Sequence, residues 1–219
     1  MATQRLNFAE WTPDQPTVAG TLLDVNNAVP LQVGYGLFPQ AVNYSNSAGE
    51  ALNNVYAGKF SNITELFAGG ASKLFKYNSG TQNLTNVSKV GGYSGERWEF
   101  VQYGDALLAT NNAEKIQVWY VNSSTAFADV AATAPVAKYI TVIRDFVVAA
   151  NLSGAPNKVQ WSDLNDETNW TAGAASQSDF QIISDGGNIR GITGGEFGII
   201  LLERAIVRMS YIGSPYFFQ

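Results

Sequence analysis

Residues Trp98 to Val121, WEFVQYGDALLATNNAEKIQVWYV, carry the clearest secondary-structure pattern in this chain. It contains three apolar runs, separated by a turn at Gly104-Asp105 and by a polar segment at residues 110–115. Short runs rich in Val, Leu, Ile and aromatic residues, bounded by Gly, Asn and Asp, are typical of antiparallel strands joined by hairpins. The stretch therefore predicts a compact antiparallel β unit.

The same unit recurs along the chain. Related stretches occupy residues 53–77, 138–164 and 188–212. Each unit has an apolar pair in its central strand: Leu66-Phe67, Leu107-Leu108, Val147-Val148 and Ile199-Ile200. These pairs are roughly 40 to 50 residues apart, which is the period of a four-stranded propeller blade. We predict an all-β chain, with a β-propeller-like array of about four antiparallel blades in residues 51–219, the last of them incomplete.

Residues 1–50 lack the repeat and contain four prolines. Proline fixes φ and disfavours helix at the preceding residue, so we predict an extended N-terminal arm with turns. Two interpretations stay open for this arm. It covers the domain as a strand and loop, or it docks on a neighbouring subunit through Trp11 and Phe38, which are costly to leave in water.

The sequence ends in an aromatic tail, Tyr216, Phe217 and Phe218. Propellers avoid free sheet edges by closing a ring, and an incomplete last blade closes poorly. We therefore expect the chain to be the N-terminal part of a longer propeller, or a propeller that is completed in an assembly. The three tail aromatics are candidate interface residues.

The composition excludes several classes of function. The chain has no His and no Cys, which removes the commonest general base, His-dependent nucleophiles, disulfides and thiolate metal sites. The formal net charge of −5 offers no basic surface for gripping phosphates. The N-terminus lacks a secretion signal, and no apolar run approaches the length of a membrane span. We expect no enzyme activity, no cofactor and no membrane contact.

The third unit is predicted to hold a longer insertion at residues 161–188. The densest carboxylate group lies at its start, in WSDLNDETNW, residues 161–170. Asp163, Asp166 and Glu167 could supply oxygen ligands to calcium, but their spacing is not that of an EF-hand loop. A solvated turn shaped by Asx hydrogen bonds is the preferred interpretation, with calcium left open. The segment also lacks the spacing of a sialidase Asp-box.

Carboxylates at the repeated hairpin turns offer another candidate site. Asp105, Asp145 and Glu196 fall at equivalent turns, and any two of these or Asp163 could be proposed as a glycosidase pair. Recurrence at the same turn is what a structural repeat predicts. We therefore expect these residues to be structural.

The order of motifs in the second half resembles the tail hub proteins of short-tailed bacteriophages, also called packaged-DNA stabilization or tail nozzle proteins. The matching positions are Asp163, Leu164, Asp166 and Trp170 in a loop, then Gly191, Ile192, Thr193, Glu196 and Phe197 in a strand pair, and Tyr211, Ile212 and Gly213 at its end. The resemblance is loose over residues 50–215 and specific in residues 160–213. Members of that family are considerably longer, so this chain resembles their N-terminal part.

The resemblance implies a structural protein of the virion tail, made in the host cytoplasm. Its partners would be further copies of itself in a ring of about six subunits, the portal and adaptor proteins, and tailspike or fibre proteins. Such a ring would enclose the DNA exit channel, retain the packaged DNA, and let double-stranded DNA pass without sequence-specific binding. The leading alternative is a carbohydrate-binding or glycan-degrading propeller of a tail fibre or lectin type, with tryptophans and tyrosines stacking on sugars.

Overall fold

The chain is an all-β protein, as the sequence predicts. A computed structural model describes residues 26–32 and 34–219, which form strands and turns and contain no α-helix. The chain divides after Tyr44 into two units. Within the described residues there is no helix of the length and apolarity that crossing a membrane requires.

The described part of the first unit contains one β-hairpin. Its strands are β1 (Ala28–Pro30) and β2 (Tyr35–Leu37). Ala28 pairs with Leu37, and the Phe38 N–H donates to the Asn27 carbonyl at 2.9 Å. Trp11, one of the candidate interface residues, lies outside the described residues.

The second unit is a series of antiparallel sheets, each formed by consecutive strands. Blade one consists of β3 (Leu52–Phe60), β4 (Ile63–Gly70), β5 (Leu74–Asn78) and β6 (Asn83–Asn86). Blade two consists of β7 (Glu99–Tyr103), β8 (Ala106–Thr110), β9 (Gln117–Tyr120) and β10 (Ala128–Asp129). Both are four-stranded meanders, the architecture of a propeller blade.

Blade three has the same build, with a longer connection before its last strand. Its strands are β11 (Ala137–Ile143), β12 (Phe146–Leu152), β13 (Ala155–Trp161) and β14 (Asp179–Ile182). The segment that the sequence presents as an insertion, residues 161–188, therefore contains the fourth strand of this blade. The insertion proper is the loop at residues 162–178.

Among the described residues, blade four has three strands in its sheet, which agrees with the prediction that the last blade is incomplete. They are β15 (Ile189–Thr193), β16 (Gly198–Leu202) and β17 (Ile206–Met209). A short hairpin follows, made of β18 (Tyr211–Gly213) and β19 (Phe217–Phe218). The sequence did not predict this hairpin.

In blades two to four, the first hairpin turns at the position that the sequence indicated. Blades one to three make this turn with two residues, Ser61-Asn62, Gly104-Asp105 and Arg144-Asp145, and blade four makes it with residues 194–197. The first residue of each two-residue turn has a positive φ, between 50° and 57°. Glycine adopts this conformation without strain, whereas Ser61 and Arg144 hold it at some energetic cost.

The blades are joined by hydrophobic clusters, because each central strand has two apolar faces. In β8, Leu107 and Ala109 belong to the cluster shared with blade one, while Ala106 and Leu108 belong to the cluster shared with blade three. Strand β12 repeats this alternation between blades two and four. A strand that is buried on both faces reads as a continuous apolar run, and this explains the apolar pairs in the sequence.

Three clusters therefore connect four blades in series. They join blade one to two, two to three, and three to four. In the described part of the chain, no hydrophobic cluster joins blade four to blade one. The array is propeller-like but is not closed by a core of its own.

Candidate functional site

Hairpin turns of neighbouring blades contact one another along one rim of the second unit. The contacts are a Ser61 hydroxyl bond to the Asp105 carboxylate (3.5 Å), a Tyr103 hydroxyl bond to the Asp145 carbonyl (2.7 Å) and an ion pair of Arg144 with Glu196 (3.3 Å). The three carboxylates from the repeated turn thus lie at successive blade junctions, and two of them are held by a side chain of the preceding blade. This distribution supports a structural role for the turn.

A cleft of about 540 Å³ opens on this rim between blades two and three. Its walls include Tyr103, Tyr120 and the carboxylates of Asp105, Asp145 and Glu167. The Tyr120 hydroxyl donates a hydrogen bond to Glu167 Oε1 at 2.7 Å. The cleft is therefore acidic, and both of its phenols are already engaged as donors.

The pKa values of these two tyrosines show what the cleft can do chemically. Burial, followed by the negative charges of Glu167 and Asp145, raises the pKa of Tyr103 to about 12. Burial and the hydrogen bond to Glu167 also raise the pKa of Tyr120. Both phenols remain protonated near neutral pH, so neither is suited to act as a general base.

Asp163 is the organising residue of the loop in blade three. Its carboxylate accepts hydrogen bonds from the Leu164 N–H (2.8 Å), the Gln177 N–H (2.8 Å) and the Asn169 side-chain amide (3.0 Å). Partial burial raises the pKa of Asp163, but the N–H groups of Gln177 and Leu164 lower it, and the net pKa lies below the ordinary value. The Asp163 carboxylate therefore joins the two ends of the loop through hydrogen bonds.

The other two carboxylates of the calcium hypothesis have separate partners. One oxygen of Asp166 accepts bonds from the Thr168 N–H (2.9 Å) and hydroxyl (2.6 Å), while Glu167 is bonded to Tyr120. Among the residues that the structure describes, no three carboxylates form a group suited to a metal ion. The hydrogen bonding corresponds to the solvated-turn interpretation of this loop.

The C-terminal aromatics do not form one exposed patch. Tyr216 is 74% exposed and Phe217 is half-buried, but Phe218 is only 4% exposed. The Phe218 ring packs against those of Phe146 and Trp161, with centroids 5.1 Å and 5.0 Å away. The prediction that Phe218 is an interface residue was wrong, because its side chain completes the core between blades three and four.

Two of the other candidate interface residues are available to a partner. Phe38 is 63% exposed in the first unit, and Tyr216 is exposed in the second. A further apolar surface, which the sequence analysis missed, lies on the outward face of blade four. There Phe197, Leu201 and Ile206 are 40%, 43% and 72% exposed. The run GIILLERAIV, residues 198–207, could have indicated this surface. Successive residues of a strand point to opposite faces, so an unbroken apolar run makes both faces of the strand apolar.

The described tryptophans are core residues. Trp98, Trp119, Trp161 and Trp170 are each between 1% and 4% exposed. A sugar-binding site needs an aromatic face that a ligand can reach. These four indoles do not provide one.

Comparisons with known proteins bear on the fold. No protein-family model matches the chain, and no curated protein matches its sequence. Among solved structures, the computationally designed Ika4 protein is similar, with a TM-score of 0.52 and 11% identity over 80% of this chain and 100% of that protein. BBS1N in complex with ARL6DN gives a TM-score of 0.46 with 12% identity over 86% of this chain and 64% of that protein. BamB from Moraxella catarrhalis gives a TM-score of 0.36 with 11% identity over 66% of this chain and 53% of that protein. At such identities the likeness concerns the fold alone.

Proposed function

We propose that this chain is a structural subunit of a bacteriophage tail, in a ring below the portal and adaptor proteins that encloses the DNA exit channel and retains packaged DNA. The motif order in residues 160–213 suggests this assembly, through its resemblance to tail hub proteins. The observation that carries the proposal is the open end of the blade array. Its outward face exposes Phe197, Leu201 and Ile206 and meets no further blade among the residues that the structure describes.

The outward face of blade four is built like the buried faces within the array. In blades two and three, the apolar residues of the central strand pack against the next blade on both sides. In β16, Ile200 and Leu202 pack towards blade three, whereas Leu201 on the opposite face is 43% exposed beside Phe197 and Ile206. Contiguous exposed apolar residues of this kind mark interaction surfaces. A neighbouring subunit would cover this face.

The electrostatics suit a channel that lets DNA pass. The formal net charge is −5, so the chain as a whole repels phosphates. The arginine beside the acidic cleft, Arg144, is paired with Glu196. Weak interaction with double-stranded DNA is therefore expected of this subunit, and retention of DNA would depend on closing the channel sterically.

The engaged polar groups of the cleft favour a structural role over catalysis. In the cleft, Tyr103 and Tyr120 are protonated donors, and Glu167 accepts the hydrogen bond of Tyr120. In the loop beside it, the carboxylates of Asp163 and Asp166 also accept hydrogen bonds from neighbouring groups. A catalytic base needs a pKa near the working pH and access to substrate. A non-enzymatic subunit is the function consistent with these contacts.

Assembly of the purified chain tests the proposal. Light scattering after size exclusion, with electron microscopy of negatively stained particles, should show ring-shaped oligomers whose population rises with protein concentration. Leu201→Glu should shift the protein towards monomer, because it places a charge in the apolar face. Val90→Glu is the matched control, since Val90 is fully exposed elsewhere in the second unit and should leave assembly unchanged.

Two results would count against the proposal. The first is a wild-type protein that stays monomeric at every concentration tested. The second is saturable binding to one class of sugar on a glycan array, which would favour the lectin-type alternative.

A further inference from the structure

The last strand of blade three presents an apolar edge to solvent. Strand β11 of this blade approaches β7 and β15 of its neighbours, so β14, at the other end of the sheet, lies on the outside of the array. In β14, Phe180 and Ile182 are 47% and 57% exposed. The equivalent strands of blades one and two are less apolar, since β6 reads NLTN and β10 has two residues. Among the described blades with four strands, β14 therefore offers the most apolar edge.

The backbone of β14 has free hydrogen-bonding groups on its outer side. The Ile183 N–H donates to the Asn157 carbonyl at 3.0 Å, and the groups of a strand point alternately to its two sides. Those of Phe180 and Ile182 therefore point away from β13. The Phe180 N–H donates to Asp179 Oδ1 at 2.8 Å, whereas no described residue bonds to the Ile182 N–H. An apolar edge with free backbone groups is a template for another strand.

A lysine ammonium lies over the exposed ring of Phe180. Lys158 pairs with Ile182 in the ladder, and its Nζ is 3.7 Å from the centroid of the Phe180 ring. No carboxylate in residues 26–32 or 34–219 forms an ion pair with Lys158. The edge therefore combines two exposed apolar side chains with an uncompensated positive charge.

We propose that the edge of β14 binds an extended segment of a partner protein by β-strand addition, antiparallel to β14. Ile182 would exchange both backbone hydrogen bonds with the residue opposite it, and the Phe180 carbonyl would accept a third. The residue opposite Ile182 is apolar and packs on its side chain. The residue opposite Phe180 is acidic, and its carboxylate pairs with the Lys158 ammonium. From its N-terminus, the antiparallel segment therefore reads apolar, any residue, acidic.

The charge of Lys158 gives this edge its selectivity. Main-chain hydrogen bonds alone hold an added strand of almost any sequence, and the side-chain contacts distinguish one segment from another. An ammonium that has an aromatic ring beneath it but no carboxylate beside it attracts an acidic side chain and repels a basic one. The partner is thus defined by charge complementarity as well as by shape.

The site is independent of the open end of the array. Phe180 pairs with Gln160, which pairs with Ala149, a member of the cluster shared with blade two. Residues directly opposite one another lie on the same face of a sheet, so Phe180 and Ile182 are turned towards blade two. The ring contact uses the outward face of blade four instead. Because the sheet of blade three already has four strands, the bound segment would be a fifth.

Exchange of single backbone amides on the full chain, measured by NMR, tests the proposal. The probe is a capped synthetic peptide with threonine, valine, threonine, glutamate and threonine at its centre. At a peptide concentration of ten times its Kd, exchange of the Ile182 amide should slow about tenfold. The Ile183 amide, already bonded to Asn157, is the internal control and should change little.

A charge exchange tests the acidic position. The same peptide with lysine in place of glutamate should bind more weakly to the wild-type protein. Lys158→Glu should reverse that order, and Lys158→Met should abolish most of the difference. Lys73→Glu is the matched control, because Lys73 is an exposed residue of blade one and the same change of charge there should leave the order unchanged.

The proposal is overturned if the peptide leaves exchange of the Ile182 amide unchanged, or if the order of the two peptides does not follow the charge at residue 158. It is also overturned if the Ile182 amide of the free protein already exchanges slowly at low concentration, because another part of the chain would then occupy the edge. Slowing that depends on protein concentration alone would overturn it as well, since the occupant would then be a second copy of the chain.

Discussion

Single side chains fix the long connections of this protein. The loop at residues 162–178 has no sheet partner of its own, so its shape depends on hydrogen bonds to a few acceptors. Asp163 accepts bonds from Leu164, at the start of the loop, and from Gln177, at its end. An ionised acceptor makes stronger hydrogen bonds than a neutral one. The negative charge of Asp163 therefore stabilises the loop by strengthening these hydrogen bonds.

Asp163→Asn tests this role through the pH dependence of stability. Hydrogen bonding leaves the pKa of Asp163 below its ordinary value, although partial burial raises it. A lowered folded-state pKa contributes stability above the pKa of the unfolded chain, and this is lost as pH falls through the folded-state value. The variant should lose about 1 to 3 kcal/mol at neutral pH, and its deficit should shrink below about pH 4.

Urea unfolding followed by tryptophan fluorescence, at several pH values between 2 and 7, measures this effect. Asp185→Asn is the matched control, because that carboxylate is exposed and no hydrogen bond to it is seen in the described chain. A deficit of Asp163→Asn that stays constant down to pH 2 would show that shape, and not charge, determines the contribution.

At the level of elements, the sequence predicts those strands in which apolar and polar residues alternate or in which the residues are continuously apolar. The turns at Gly104-Asp105 and Arg144-Asp145 are confirmed, because small or polar residues between two apolar runs leave few alternatives. Strand β14 falls within the insertion that the sequence predicts at residues 161–188, because local sequence does not show which sheet Phe180 and Ile182 extend. Local sequence gives strand propensity, whereas sheet membership depends on distant partners.

Dependence on distant partners also explains why the burial of the three tail aromatics could not be predicted from the sequence. From sequence alone, the three tail aromatics are equivalent interface candidates, because each is large and apolar. Only the register of the β18–β19 hairpin separates them. Tyr211 pairs with Phe218 and directs that ring into the core, whereas Tyr216 lies in the turn. Since Gly213 pairs with Phe217 after a register shift, the outcome could not be read from spacing alone.

Phe218→Ala tests whether the terminal hairpin is held by the core. Removing a buried phenylalanine ring should cost about 3 to 5 kcal/mol, because the rings of Phe146 and Trp161 would line a cavity. Tyr216→Ala is the control and should change stability by less than about 0.5 kcal/mol, since its side chain is mostly exposed. The free energy of unfolding in urea measures both. Similar losses from the two variants would contradict the packing described for Phe218.

At the scale of the whole molecule, stability is shared between neighbouring blades. Each cluster belongs to two blades, so a blade in the middle of the array is stabilised from both sides. In stacked repeats of this kind, total stability is approximately a sum of repeat terms and nearest-neighbour interface terms. Loss of one interface should therefore weaken the two blades that share it more than the blades farther along.

Two adjacent leucines in β8 test this directional coupling. Leu107 packs towards blade one and Leu108 towards blade three, and both are fully buried. Leu107→Ala and Leu108→Ala should each cost about 2 to 5 kcal/mol. Hydrogen exchange should then differ between them. The first variant should lose protection in β3–β5 and the second in β11–β13, while blade two loses protection in both. Because the two substitutions are chemically identical and lie in one strand, each is the control for the other. If both variants gave the same pattern of protection, the blades would unfold as one unit and the interfaces would not act separately.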